Sequence, residues 1–151
     1  MKLTDSDIAA LQEIVGKENV ILDNEALEDY CHDEIPSLYF QPDAVVKPEN
    51  TEQVSKIMAL ASERKFPVTP RGAGSGLSGG AVAVEGGIVL SLEKFNRILE
   101  IDQENMMAVV EPGVLTGQLQ KEVEAVGLFY PVDPASLDSC SIGGNFAANA
   151  G

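Results

Sequence analysis

The residues best suited to chemistry in this chain are the closely spaced glycines of the segment RGAGSGLSGG, residues 71–80. Five glycines fall within residues 72–80, and glycine at this density costs backbone entropy on folding. In return, another molecule can approach the backbone closely, and successive N–H groups can converge on an anion. The spacing therefore predicts a loop that binds a phosphate-bearing ligand through its amides. Arg71, the one nearby cation, would either contact that ligand or brace the loop.

Three known motifs compete for this loop. GSGLSG at 74–79 matches the dinucleotide fingerprint G-x-G-x-x-G, but that motif requires a helix next, and the sequence that follows is strand-like. GLSGG at 76–80 matches the nucleophile elbow G-x-S-x-G around Ser78, which needs a later histidine, whereas the only histidine is His32. A phosphate-binding G-K-[ST] loop is excluded because no lysine lies between Lys65 and Lys94. The remaining interpretation is a loop between two strands that binds a phosphate-bearing ligand through its backbone amides.

A second segment, DPASLDSCSIGGNFAANAG at 133–151, has similar properties. From Val126 onward the only charged residues are Asp133 and Asp138. Close backbone approach is possible at Gly143 and Gly144, and neutral hydrogen-bonding groups come from Ser139, Ser141 and Asn145. Two small, nearly uncharged surfaces suit a large flat ligand with a phosphate bridge; the alternative for this segment is a tightly packed start of a helix.

Hydrophobic periodicity predicts the elements that position both segments. Helices are expected at 5–15, 24–32, 51–64 (capped by Thr51) and 114–127, and strands at 44–47, 67–69, 86–92, 97–102 and 106–113. The unit from 44 to 69 is typical of a right-handed strand–helix–strand crossover.

Composition and charge exclude several classes of protein. The 151 residues carry a net charge of -14, and residues 1–50 hold three basic and twelve acidic side chains, which disfavours nucleic acid and anionic lipid surfaces. No apolar run approaches the roughly 20 residues of a membrane span, and no signal peptide is predicted. Cys31 and Cys140 cannot form a disulfide framework or a four-cysteine zinc site. These features predict a cytoplasmic protein that handles a small molecule.

Five segments together resemble a known family. In order, PDAVVKPENTEQVSKIM, PVTPRGAGSGLSGG, GIVLSLEKFNRILEID, VVEPGV and FYPVDPASLDSCSIGGNFAANAG are similar to the PCMH-type, or vanillyl-alcohol-oxidase-type, FAD-binding domain. Within that family they resemble the glycolate oxidase and D-lactate dehydrogenase flavoproteins, which oxidise D-2-hydroxy acids. The resemblance runs from about residue 20 to the end of the chain.

The resemblance implies an α+β fold of two αβ subdomains with FAD between them. The first would span about residues 20–70; the second would begin within 71–151 with an antiparallel sheet, to which the predicted strands over 86–112 would belong. Because its strand–helix–strand unit is local, the part up to about residue 70 is expected to be compact by itself. Because family members run to several hundred residues, residues 1–151 are expected to be the N-terminal part of the FAD-binding domain. The chain would be truncated within the second subdomain, and the cap and catalytic domain would be absent.

The resemblance also implies which residues bind FAD. The pyrophosphate loop falls on Arg71, Gly72, Ala73, Gly74, Ser75, Gly76, Gly79, Gly80 and Ala81, and the second flavin segment on Pro134, Ser141, Gly143, Gly144, Asn145 and Ala148. Many relatives attach FAD through a histidine near the first loop; residues 33–151 contain none, so noncovalent FAD is expected. No catalytic residue and no metal ligand is assigned within the chain.

The implied function is FAD-dependent oxidation of a D-2-hydroxy acid by the whole protein, with an iron–sulfur subunit or an electron-transfer flavoprotein as partner. Residues 1–151 alone are expected to be inactive. The alternatives are a 2-hydroxyglutarate dehydrogenase, an alkyl-glycerone-phosphate synthase, or a noncatalytic nucleotide-binding module. A serine hydrolase would rest on GLSGG alone.

Overall fold

The computed structural model describes residues 2–150 and contains two β-sheets. The strands are β1 Val20–Ile21, β2 Ala44–Val46, β3 Val68–Arg71, β4 Ile88–Ser91, β5 Ile98–Asp102 and β6 Met107–Val110. The larger sheet has the spatial order β1-β2-β4-β3, in which β2, β4 and β3 are parallel and β1 is antiparallel to β2. β5 and β6 form a separate antiparallel hairpin.

Five α-helices accompany these strands in the described residues: α1 Asp5–Val15, α2 Asn24–Leu27, α3 Thr51–Arg64, α4 Thr116–Glu124 and α5 Ile142–Ala148. α2 is shorter than expected because the chain tightens into a 3₁₀ turn at Glu28–Tyr30. The predicted cap of α3 is off by one residue: the side chain of Asn50, not of Thr51, accepts a hydrogen bond from the backbone N–H of Gln53 at 2.9 Å.

The assignment of the 86–92 strand to the second, antiparallel sheet is wrong. β4 lies between β2 and β3, with Val89 in register with both Val45 and Thr69. The physical reason is visible in its composition: residues 88–90 are uninterruptedly apolar and buried, as is typical of a parallel strand covered on both faces. The separate antiparallel sheet therefore begins only at β5.

Both faces of the larger sheet are covered. α1 and α3 pack on one face, where Leu11 and Ile57 are fully buried against Val46 and Ile88. On the other face Leu27 packs with Val45 and Val89. A separate core joins α4 and α5 to the hairpin, through Val114, Leu119, Val123 and Ile142. Among residues 2–150, none of the helices has the length and apolarity that a membrane span requires.

One ion pair between α1 and α3 gives the fold an acid-sensitive contact. Asp7 accepts hydrogen bonds from the hydroxyl of Thr4 at 2.6 Å and from Arg64 at 2.8 Å, and these bonds lower the pKa of its carboxyl from 3.8 to about 2. Because the pKa is depressed in the folded state, the contribution of Asp7 to stability is present above pH 4 and is lost as the pH falls toward 2.

Asp7→Asn is therefore expected to lower the free energy of unfolding at pH 7, and the difference from wild type should shrink between about pH 4 and pH 2. Urea unfolding across that pH range measures it. Asp5→Asn, an exposed carboxylate in the same first turn, is the matched control. An equal, pH-independent loss in both variants would contradict the assignment.

Candidate functional site

The glycine-rich loop leaves the carboxyl end of β3, the edge of a parallel sheet where ligands of α/β folds gather. Neither helix nor strand occurs between residues 72 and 87. The dinucleotide fingerprint and the nucleophile elbow both require a helix directly after the loop, so neither motif has its structural context here.

The backbone amides over most of this loop have no hydrogen-bond partner within the described part of the chain. Within residues 2–150, no protein atom accepts a hydrogen bond from the N–H groups of residues 72–78. The residues of this run are exposed or half-buried, so their N–H groups are accessible to a ligand from solvent. Such a run in a loop of small residues can cradle an anion.

The Arg71 side chain is engaged with protein carbonyl groups. Its guanidinium is buried and donates to the carbonyls of His32 at 2.7 Å, Asp29 at 2.9 Å and Ala81 at 3.3 Å. It also lies 5.6 Å from the ring centroid of Tyr30, and burial lowers its pKa. Of the two roles that the sequence left open for this side chain, the geometry favours bracing the loop.

Two glycines in the loop have different local constraints. Gly74 has φ +74°, and a Cβ placed there would overlap the guanidinium of Arg71. Gly76 lies outside the left-handed region, and a Cβ there would have no heavy atom within 4 Å. The fold itself therefore requires glycine at 74 but not at 76.

The second predicted segment meets the first at Ser141. Its hydroxyl caps α5 by accepting from the backbone N–H of Gly144 at 3.2 Å, and a Cβ on Gly72 would collide with the same hydroxyl. Gly143 lies against Pro112, whose carbonyl accepts its N–H at 2.7 Å. The two segments, about 70 residues apart in the sequence, thus share one contact surface.

A cleft of about 450 Å³ opens where these segments meet. Of the predicted site residues, Gly72, Ala73 and Ser141 line this cleft. The other twelve predicted residues, Pro134 and Ala148 among them, are not lining residues of this cleft, and Ala148 is exposed at the end of α5. A larger, shallower groove of about 540 Å³ follows β5 and contains none of the predicted site residues.

The cleft also has polar side chains that sequence reasoning missed, namely Glu93, Asn96 and Gln118. Glu93 accepts hydrogen bonds from Lys47 at 2.6 Å, Ser91 at 2.9 Å and Tyr30 at 3.0 Å. Burial raises the pKa of this carboxyl, but these bonds outweigh burial and the pKa is lowered. No motif in the sequence marks Glu93, because its partners come from β4, the residue after β2 and the turn after α2.

Asn145, predicted to contact the ligand, has its amide held within the protein. Its Nδ2 donates to the hydroxyl of Thr116 at 2.7 Å, and that hydroxyl is 3.2 Å from the sulfur of Cys140. Thr116 is completely buried at the start of α4. The pair fixes the first turn of α5 against α4, an arrangement that the spacing of the sequence did not signal.

The groups needed for other chemistries are not brought together. In residues 2–150, no cluster of three or more His, Cys, Asp or Glu side chains is arranged to hold a metal ion. Ser78 is exposed and, within the described part of the chain, has no hydrogen bond to a histidine. Cys140 is a buried free thiol that precedes Ser141, the N-cap residue of α5.

Comparison with known proteins gives concordant matches. The family model described as FAD binding domain matches residues 42–151. The glycolate oxidase subunit GlcD of Bacillus subtilis (strain 168) is 44% identical over 141 residues, 93% of this chain and 30% of that protein. The D-lactate dehydrogenase of Anaerostipes hadrus is 41% identical over 152 residues, 99% of this chain and 31% of that protein.

A solved structure also matches. Alkyldihydroxyacetonephosphate synthase superposes with a TM-score of 0.87 over 97% of this chain and 29% of its own, at 21% identity, which establishes the fold alone. The α+β, PCMH-type fold predicted from the resemblance is confirmed. The chain spans about 30% of the length of the curated relatives it matches.

Proposed function

Because this chain belongs to the FAD binding domain family and takes FAD as its cofactor, we propose that the whole protein oxidises a D-2-hydroxy acid such as glycolate or D-lactate. The names of the two relatives support this substrate class. The residues described here hold the cofactor in this proposal, and FAD, once bound, accepts the electrons of the oxidation.

The observation that carries the proposal is the run of free amides at residues 72–78. Phosphate oxygens are strong acceptors, so the FAD pyrophosphate fits a loop whose donors have no partner in the protein. The absence of a free cation in the loop agrees with this, since the Arg71 guanidinium is bonded to carbonyls. The backbone, rather than a basic side chain, would neutralise the anion.

The remaining predicted site residues are proposed in two roles. Ala73, Ser75, Gly76 and Gly80 lie in or beside the free-amide run and would approach the cofactor directly. Gly72, Gly143, Gly144 and Asn145 would shape the cleft, since each packs on or hydrogen bonds to a neighbouring segment. Ala81 contributes a carbonyl to Arg71. FAD is proposed to be noncovalent, because residues 33–151 offer no histidine for attachment.

No described residue is proposed as the base that removes the hydroxyl proton of the substrate. We propose an iron–sulfur subunit or an electron-transfer flavoprotein as electron acceptor; the B. subtilis relative is itself named a subunit, which supports assembly with another chain. A cytoplasmic location is part of the same proposal.

The test is the visible absorption spectrum of the purified full-length protein, followed by dye reduction with D-lactate, glycolate and D-2-hydroxyglutarate, with L-lactate as the stereochemical control. Bound flavin that is reduced by a D-2-hydroxy acid supports the proposal. Bound flavin that none of them reduces favours the alkyl-glycerone-phosphate synthase or noncatalytic alternative. A protein purified without flavin that does not take up added FAD would refute the assignment.

The hydrolase alternative predicts a role for Ser78 that the structure does not support. We expect no esterase activity in the parent protein, because within residues 2–150 this exposed hydroxyl has no hydrogen bond to a histidine that could act as its base. Ser78→Ala should keep its flavin and retain dehydrogenase activity within about tenfold, or about 1.4 kcal/mol. A burst of product from an activated ester, lost in the variant, would contradict this expectation.

A further inference from the structure

The segment from Asp29 to Leu38 lies directly against the glycine-rich loop. The N–H of Glu34 donates to the carbonyl of Gly76 at 3.1 Å, and the guanidinium of Arg71 reaches two carbonyls in the same segment. No motif in the sequence marks this segment. The contacts indicate that it is the outer support of the loop.

Within this segment the carboxylate of Asp33 contacts the loop at Gly79. It is 6% exposed, and each oxygen accepts one backbone N–H, from Ile35 at 2.9 Å and from Gly79 at 2.8 Å. Hydrogen bonds to an ionised acceptor are stronger than bonds between neutral groups. In the described residues Asp33 forms no ion pair, so these two amides are its main partners.

Gly79 is the point at which the run of free amides ends. The N–H groups of residues 72–78 are unpaired, and the next one is bonded to Asp33. Gly79 has φ +75°, and a Cβ there would be 2.7 Å from the side chain of Leu38. The loop is therefore held by β3 at one end and by Asp33 at the other.

We propose that Asp33 is a positioning residue: by fixing Gly79 it sets the conformation of residues 72–79 before FAD binds, and it raises the affinity for FAD without contacting it. This inference rests on the proposed function of the loop. A glycine-rich segment loses conformational freedom when it closes on a ligand, and a loop already fixed in place loses less.

The charge of Asp33 makes the proposal easy to test, because its charge and its positioning of the loop have opposite effects on the affinity for FAD. A carboxylate near an anionic ligand repels it, so removing the charge alone would tighten FAD binding. If positioning dominates, removing the same carboxylate weakens binding. Asp29 provides the matched control, because it is exposed and its carboxylate makes no hydrogen bond in the described residues. Like Asp33, it lies near enough to Arg71 to raise the pKa of that guanidinium against the effect of burial. A substitution of its side chain leaves in place the main-chain carbonyl that accepts from Arg71.

The experiment measures the Kd of FAD by flavin fluorescence for the full-length apo protein, its Asp33→Asn and Asp33→Ala variants, and Asp29→Asn. We expect Kd to rise about 10- to 100-fold in the Asp33 variants, the range for a hydrogen bond to a charged group. Asp29→Asn should bind FAD as tightly as wild type or slightly more tightly. Unchanged or tighter binding by Asp33→Asn overturns the proposal.

Hydrogen exchange of the apo protein separates positioning from a general loss of structure. Faster exchange in Asp33→Asn confined to the hydrogen-bonded amides at this contact, those of Glu34, Gly79 and Val82, with β2 and β4 unchanged, supports the proposal even if Asp33→Ala fails to fold. Faster exchange throughout the sheet shows a merely structural role and overturns it. Failure of the wild-type protein to bind FAD would refute the proposed function itself, an outcome distinct from equal binding by wild type and Asp33→Asn.

Discussion

Gly76→Val is expected to leave the apo protein folded and to abolish FAD retention by the full-length protein. The fold has no need of glycine at this position, since a Cβ there meets no heavy atom within 4 Å and the backbone lies outside the left-handed region. A branched side chain would instead fill the space above the free amides of residues 72–78. The flavin-to-protein absorbance ratio and urea unfolding of the apo protein measure the two effects separately.

Gly74→Val is the informative companion variant. Here φ is +74° and the new side chain would overlap the guanidinium of Arg71, so both stability and flavin content should fall. Ser78→Ala, in the same loop, serves as the control that should keep both. Wild-type flavin content in Gly76→Val would show that the cofactor does not approach the loop at that point.

The second large effect is expected from Gly143→Val at the start of α5. A Cβ on Gly143 would lie 2.5 Å from Cβ and 2.9 Å from the carbonyl oxygen of Pro112, and backbone atoms cannot move aside as a flexible side chain can. Overpacking of this kind costs about 1–3 kcal/mol or more. We expect α5 to detach, withdrawing Ile142 from the core that it shares with Val114 and Leu119.

Urea unfolding and limited proteolysis within residues 133–150 measure this detachment. Gly144→Ala is the control, because a Cβ there would be 3.1 Å from the hydroxyl of Ser141, a side-chain atom that can rotate. Equal stability of the two variants would show that contact with Pro112 does not hold α5 in place.

The sequence predicted local features better than tertiary ones. The helices at 5–15 and 51–64 follow from apolar spacing and caps, and the position of the ligand loop follows from glycine density after a strand. The strand at 88–91 was assigned to the wrong sheet because an apolar run reveals that a strand is buried but does not identify its neighbours.

The contacts that support the site could not be predicted from the sequence, for a related reason. Arg71 is held by main-chain carbonyls at 29, 32 and 81, and every residue has a carbonyl, so side-chain identity gives no signal. Asp33 and Thr116 pair with groups 46 and 29 residues away, Gly79 and Asn145, that only the folded chain brings near. The residue types were visible in the sequence, but their partners were not.

The position of β4 between β2 and β3 determines when the sheet can form during synthesis of the chain. As the polypeptide emerges from the ribosome, β2, α3 and β3 appear first, yet the two strands are not neighbours and cannot pair without residues 88–91. The first 70 residues are therefore expected to remain an incomplete unit, contrary to the compact unit that the sequence suggested. Insertion of β4 closes residues 72–87 into a loop at the same moment that it completes the sheet. FAD should consequently be unable to bind a nascent chain before β4 has entered the sheet, so formation of this core precedes cofactor capture.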